Sequence, residues 1–310
     1  MRILIIGAGG QLGTELARVF SDVDLVLVDR SDAPVVLDLR DAPRIAEVLD
    51  VHKPDVVINT AAFHNLLACE RQPEEAFAVN AIAVGNLAKA CAARNIRLTH
   101  FSSNYIFGGA VFHEVTRDAT LDGPPRPRPY REDDAPSPVN VLGASKLAGE
   151  YLALAYHEQA QVIRTAALYG VAACHSRGGE RNFVENILYL ARTGRPMRLI
   201  DDIVTTPTHA ADLAEQVRKI VEHGSPGVYH ATCEGACTWY EFGQAVLEEC
   251  GIRPAMVPEP VPARQFQAPV RKPSYSVLEN SRIKQMGCAS MPSWRDALRH
   301  YLRLAGHLSA

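Results

Sequence analysis

The sequence predicts an α/β chain, a doubly wound parallel sheet with a smaller, interleaved C-terminal lobe. Three observations predict it. Short apolar runs alternate with amphipathic stretches through the first 165 residues, at the spacing of βαβ units. A glycine-rich turn, Gly7-Ala8-Gly9-Gly10-Gln11-Leu12-Gly13, separates the first apolar run from the first amphipathic stretch. The length of 310 residues suffices for one large domain with an appended lobe.

The elements follow in order. Residues 2–6 form a strand, the glycines a tight turn, and Thr14 to Phe20 a helix. A second strand, Leu25 to Val28, ends in Asp29-Arg30, and a third covers Val35 to Leu37. A helix from Ala42 to Val51 leads through Pro54-Asp55 to a strand at Val56 to Asn59. Residues 74–94 have helical spacing, and Leu98 to Phe101 reads as the next strand. From Gly108 to Pro138 the pattern breaks into a long, Pro-dense loop, of the kind that covers a site or is inserted. A helix then runs from Val141 through Tyr156, followed by a strand at Gln161 to Arg164. The remainder alternates short strands, helices and Pro-rich turns, and closes on an amphipathic helix carrying Trp294, Leu298, Tyr301 and Leu302. Residues 1–165 therefore read as the sheet domain, with the insertion at about 108–138, and 166–310 as mainly the lobe, interleaved with the sheet.

Composition excludes several roles. A formal net charge of -3 gives no broad basic surface, so nucleic acid and anionic membrane are not expected partners. No apolar run reaches the roughly 18–20 residues that span a bilayer. Seven scattered cysteines without a secretion signal read as reduced thiols in a cytoplasmic protein. Cys233 and Cys237 lack a second Cys/His pair nearby, so no metal is expected there.

The glycine turn carries the clearest chemistry. Gly7, Gly10 and Gly13 between a strand and a helix match the dinucleotide fingerprint. The first glycine permits the turn, the second lets the backbone approach a pyrophosphate, and the third allows close helix–strand packing. Gln11 and Leu12 complete the loop at the helix N-terminus, whose free N–H groups suit phosphate. Asp29 is placed to bond the adenosine ribose hydroxyls, which favours NAD, whereas Arg30 suits a 2′-phosphate, which favours NADP. The choice between NADP and NAD stays open. Asp38 and Leu39 follow the third strand and either flank the adenine or, for Asp38, cap the helix that begins near Asp41.

These residues and others along the chain resemble the extended short-chain dehydrogenases, and among them the dTDP-4-dehydrorhamnose reductase family. The resemblance rests on Gly10-Gln11-Leu12-Gly13, Pro54 to Ala62, Phe77-Ala78-Val79-Asn80-Ala81 and Ser102-Ser103-Asn104-Tyr105-Ile106-Phe107. Pro129 to Asp134, Lys146 to Glu150, Arg181 to Val184 and Tyr275 to Leu278 extend it over the whole chain. It implies a Rossmann-type domain that binds NADP or NAD, and a lobe for a nucleotide-diphosphate sugar. The implied reaction is hydride transfer to C4 of a 4-keto-6-deoxy sugar. It also adds Ala61, Ala62, Phe63 and Asn80 to the cofactor side, and puts Lys146, Ser103 and Asn104 at the catalytic centre. Ser103, Asn104, Ala167 and Asn182 are implied on the substrate side, and a homodimer is compatible with the family. Glu15 reads as a solvated charge, and His64 as a surface residue or a neighbour of the nicotinamide ribose.

The departures cluster on the sugar side. Leu142 stands four residues before Lys146, where the family has the tyrosine that protonates the carbonyl oxygen. Asn104 replaces an ionisable group with an amide, and Ala167 falls where these reductases often place a tryptophan. Two readings stay open. In one the chain is still a nucleotide-sugar oxidoreductase, drawing its proton from Ser103, from a water ordered by Lys146 and Ser103, or from His113 or Tyr130 on the inserted loop. Tyr105, by contrast, reads as a core residue. In the other reading the chain binds a dinucleotide without reducing anything, as a regulatory or interaction protein related to the regulatory subunit of methionine adenosyltransferase.

Overall fold

The computed structural model describes residues 1–108, 127–172, 181–253, 255, 257–266 and 270–308. Its centre is a seven-stranded parallel sheet, with flanking helices supplied by the amphipathic stretches. In chain order the first half contains β1 (Arg2–Ile6), α1 (Gln11–Val19), β2 (Asp24–Asp29), β3 (Val35–Val36), α2 (Ala42–His52) and β4 (Val56–Asn59). Then come α3 (Leu66–Arg71), α4 (Pro73–Phe77), α5 (Ala83–Ala92), β5 (Arg97–Ser103), α6 (Val141–Tyr156) and β6 (Ala160–Thr165). The second half contains β7 (Leu168–Tyr169), α7 (Phe183–Arg192), β8 (Arg198–Ile200), β9 (Val204–Thr205), β10 (Thr208–His209), α8 (Ala210–His223) and β11 (Gly227–His230). It closes with β12 (Cys237–Thr238), α9 (Trp239–Glu249), β13 (Glu259–Val261), α10 (Ser281–Gln285) and α11 (Trp294–Leu304).

The strand order is β11-β6-β5-β4-β1-β2-β3. Because both faces are covered, alternate residues of one strand enter two different cores. Ile3 and Ile5 pack with Leu16, Phe20, Leu213 and Val217, while Leu4 and Ile6 pack with Val28, Ile45, Leu49 and Leu87. A third core, around Tyr169, Ile187, Phe242 and Leu302, belongs to the lobe. The chain reverses direction across the sheet at β1, where β4 lies on one side and β2 on the other. Ligands of open α/β sheets bind at that switch, beyond the carboxyl ends of the strands.

The interleaving is concrete. After β7 and α7 have entered the lobe, α8 returns to pack beside α1, and β11 pairs with β6 from Gly227↔Gln161 to His230↔Arg164. The lobe's sheets are two-stranded, β10 with β7, β12 with β9 and β13 with β8.

Several expectations are corrected here. The short helix α3, capped by Asn65 accepting from the Ala68 N–H, has no counterpart in the sequence reading. One wide turn, Ala78–Ile82, is π-helical and joins α4 to α5. Asp38 does not cap α2. Asp41 does, accepting from the Arg44 N–H, with Pro43 in the first turn. Tyr130 is no solvated loop residue: it is 3 % exposed and stacks on Phe107 at 4.2 Å, and its backbone pairs with Val277 and Glu279. His113 and Cys174 lie outside the described residues. Glu15 is not solvated either, being 9 % exposed and ion-paired with Arg18 at 2.9 Å. Among the described residues, no helix is long and apolar enough to cross a membrane.

Candidate active site

The glycine turn has the shape of a cradle. Gly7 has φ +83, a conformation that side chains resist, and its N–H bonds the Val28 carbonyl. A Cβ on Gly13 would overlap the Gly7 carbonyl and Ala8, so helix α1 can approach the turn only with glycine there. Gly10 is the N-cap residue of α1 and offers no side chain to its first turn, which leaves the helix N–H groups facing outward. Asp29, at the carboxyl end of β2, accepts from the Gly9 N–H at 2.9 Å and from the Arg30 N–H at 2.7 Å. This anchors the Asp29 carboxylate to the glycine loop. Gln11 reaches the Gly170 carbonyl at 3.4 Å, while Leu12 and Leu39 are buried, so those two offer a ligand backbone only. Arg30 is exposed beside Asp38. Asp38 itself is held by Arg40, whose guanidinium keeps its carboxyl at about 2. These residues fit a dinucleotide. The turn is a space that a Cβ would fill, and it opens onto an uncapped helix end.

Across the switch, residues 61–63 follow β4. Thr60 anchors them by donating to the Ile6 and Gly7 carbonyls. Asn59 accepts from the Ala61 N–H and lies 3.2 Å from His100. Asn80, presented by the π-turn, accepts from the Phe63 N–H and donates to the Phe63 carbonyl and to Ser145. With its amide committed in this way, Asn80 fixes the Ala61-Ala62-Phe63 loop against α6. His64 is exposed, with Nδ1 3.4 Å from the Ala62 carbonyl.

The expected catalytic residues meet at the carboxyl end of β5. Asn140 caps α6 by accepting from the Gly143 N–H, which starts the helix so that Leu142 and Lys146 lie one turn apart. Lys146 is buried, and its Nζ donates to the Phe101 carbonyl at 2.5 Å. Burial pushes its ammonium down to about 8. His100, also buried and near that cation, is held well below the usual imidazole range, so it is neutral. Ser103 donates to Asn104 Oδ1 at 3.2 Å and accepts from the Tyr105 N–H. Asn104 in turn donates to Ser276 Oγ at 2.8 Å and Thr205 Oγ1 at 3.3 Å. Its amide therefore links the Ser103 hydroxyl to the lobe and has no proton to give. Leu142 is 6 % exposed and clusters with Cys69, Ala76, Phe63, Leu66, Val141 and Tyr105. Tyr105 is half-buried in that cluster, not sealed in the core as expected.

On the substrate side, Ala167 has φ +42, the left-handed conformation that a residue with a Cβ seldom adopts. It follows β6, whose Thr165 pairs with Ser103, so the strained residue stands beside the catalytic strand end. Asn182 caps α7 by accepting from the Glu185 N–H, and its amide donates to the Gly170 carbonyl and Tyr301 Oη. Its polar atoms are thus used within the lobe, where they start α7 and hold Tyr301.

The sequence reading missed a cleft of about 440 Å³ whose walls include Arg264, Phe266, Arg271, Lys272 and Ser274. Ser274 is two residues from Ser276, the partner of Asn104, and the cleft's three cations share its walls with Asp202. The signal was present as three basic residues in the Pro-rich stretch 260–273, but charge alone did not show that they share one opening. Cys233 and Cys237 are buried free thiols, and burial pushes Cys233 up to about 12.

The parallel sheet, the glycine cradle at its switch point and the lysine behind β5 define an extended short-chain dehydrogenase/reductase. The chain belongs to the RmlD substrate binding domain family, whose model matches residues 1–306. It is 36% identical over 300 residues to a dTDP-4-dehydrorhamnose reductase of Mycolicibacterium smegmatis, covering 96% of this chain and 84% of the relative. It is 33% identical over 302 residues to the spore coat polysaccharide biosynthesis protein SpsK of Bacillus subtilis, covering 97% of each. The crystal structure of a dTDP-4-dehydrorhamnose reductase from Bacillus anthracis, in complex with NADP, superposes with a TM-score of 0.85 at 27% identity, over 98% of this chain and 99% of that one.

Proposed function

We propose that the protein is an NAD(P)H-dependent reductase of a nucleotide-linked 4-keto-6-deoxy sugar, working without the tyrosine acid. The observation that carries this reading is the convergence of Lys146, Ser103 and Asn104 at one strand end. The glycine cradle supplies the cofactor side of the reading, and the cleft walled by Arg264, Arg271 and Lys272 supplies its substrate side. The relatives' names supply the substrate class, and the three cations of the cleft suit a nucleotide diphosphate.

When bound, the dihydronicotinamide supplies hydride to the ketone carbon. The chain's own residues handle the oxygen. Ser103 polarises the carbonyl by turning its one hydroxyl proton from Asn104 Oδ1 to the ketone oxygen, while it goes on accepting from the Tyr105 N–H. The proton that the alkoxide takes up comes from the Lys146 ammonium through a water held with Ser103, and Lys146 is then reprotonated from solvent. With the ammonium at about 8, kcat/KM is expected to be level below pH 8 and to fall above it, as the proton source is lost. A Lys146→Met protein should lose that alkaline limb and bind NADPH more weakly. A limb that persists in the variant removes Lys146 as the acid.

The silent-binder reading is favoured by one observation, the apolar packing around Leu142. The two separate in one assay. Purified protein is mixed with NADPH and dTDP-4-keto-6-deoxyglucose, with and without a 3,5-epimerase, and absorbance loss is followed. Turnover above background supports reduction. Tight NADPH binding by calorimetry without turnover discards it.

A further inference from the structure

We propose that His209, Asp212 and His300 form a site for one divalent transition-metal ion, with zinc as the chemistry they fit, where α11 meets the start of α8. His209 ends β10 and Asp212 stands in the first turn of α8, while His300 comes from the middle of α11. His209 Nδ1 lies 2.8 Å from one oxygen of the Asp212 carboxylate, and His300 Nδ1 lies 2.8 Å from the other. All three donor atoms fall within 4.8 Å of one another.

The ring geometry points the same way. The two imidazoles stand at 87°, with centroids 5.1 Å apart. Two imidazoles on one tetrahedral zinc, with Zn–N distances of about 2.0–2.1 Å, place their ring centres about 5 Å apart. The site is also built unevenly, as an open metal site is. His209 is fully buried, stacked on Tyr169 at 5.6 Å and edge-on to Tyr301 at 5.7 Å, so one ligand is rigid. The His300 side chain is 47% exposed, which leaves room to adjust and opens the remaining positions to water. Two imidazole nitrogens and one carboxylate select a transition metal over magnesium or calcium, which prefer oxygen.

Binding needs no redox partner and releases no net proton from neutral imidazoles. As the ion takes the place between nitrogen and carboxylate, the Nδ1 proton of each ring passes to its Nε2, which on His300 belongs to an exposed side chain and on His209 is buried without a partner. The ion would tie α11 to α8 across 88 residues of chain, on elements distinct from those that carry Lys146 and Ser103.

The test uses the untagged full chain after chelation, titrated with ZnCl2 by calorimetry and with CoCl2 by visible spectroscopy. One equivalent should saturate it, and Co²⁺ should give the intense bands of low coordination number. His300→Ala, at an exposed position that the fold tolerates, should lose the bands. It should weaken zinc by at least the about 10–100-fold that removing an outer-shell partner costs, and Asp212→Asn should do the same. Zinc at about a hundred times its dissociation constant should raise the folded-to-unfolded ratio about a hundredfold in the parent and not in His300→Ala. Absence of saturable uptake, or equal uptake by parent and His300→Ala, overturns the proposal. Either result leaves the reductase reading untouched, because that reading is measured by NADPH oxidation.

Discussion

Leu142→Tyr is expected to raise NADPH-dependent ketone reduction by about 10²–10⁴-fold, the usual worth of a positioned general acid. Position 142 sits one helical turn before Lys146 on the same face of α6, and the Asn140 cap holds that first turn in register. A phenol there would start among the buried Cys69 and Ala76, beside the half-buried Phe63 and Tyr105, one helical turn from the Lys146 ammonium, whose field favours its ionised form. The measurement is kcat on the ketosugar, with NADPH affinity as the control. A gain in kcat at constant affinity shows that the rest of the pocket still aligns a carbonyl with the nicotinamide. A well-folded Leu142→Tyr protein that binds NADPH and stays inert shows instead that the sugar side has been rebuilt around the leucine.

The second large effect is on stability. Glu150→Ala is expected to cost about 3–5 kcal/mol, because it strands a buried cation. Glu150 and Arg164 are 1 % and 5 % exposed at their side chains, and the guanidinium reaches both carboxylate oxygens at 2.8 and 3.1 Å. Arg164 also donates to the Glu132 carbonyl and lies over the Phe107 ring at 5.4 Å, so the pair holds the later part of the inserted loop against the end of β5. Urea unfolding gives the number. The double change Glu150→Leu with Arg164→Met should recover much of the loss, since it removes both charges together. A loss below 1 kcal/mol in the single variant shows that water reaches the guanidinium.

What the sequence could show followed from local chemistry. Repeating apolar runs marked β1, β4 and β5, and α6 was read from Val141 through Tyr156, the span it has, because helical spacing is a local signal. The glycine cradle was legible because the positions of Gly7, Gly10 and Gly13 are dictated by backbone geometry. Tyr130 was misread because its stacking partner Phe107 and the backbone of Val277 and Glu279 are distant in sequence, and a Pro-dense neighbourhood says nothing about what a ring will meet. Asn182 came to the substrate side through the resemblance alone, and the fold uses it to cap α7 and bind Tyr301, 119 residues away. Asn104 follows directly on β5, and its partners Thr205 and Ser276 are 101 and 172 residues away. Long separations of this kind leave no local trace. They decide which polar groups are free to act and which are holding something else.

The return of α8 and β11 to the main sheet has a consequence for how the molecule can be cut. A fragment stopping near residue 165 would leave β6 with a bare margin and α1 without its cover, an invitation to self-association. The remaining piece would hold one orphan strand and no sheet to receive it. Neither fragment is a workable unit for expression, and heat should melt the intact protein in one step rather than two.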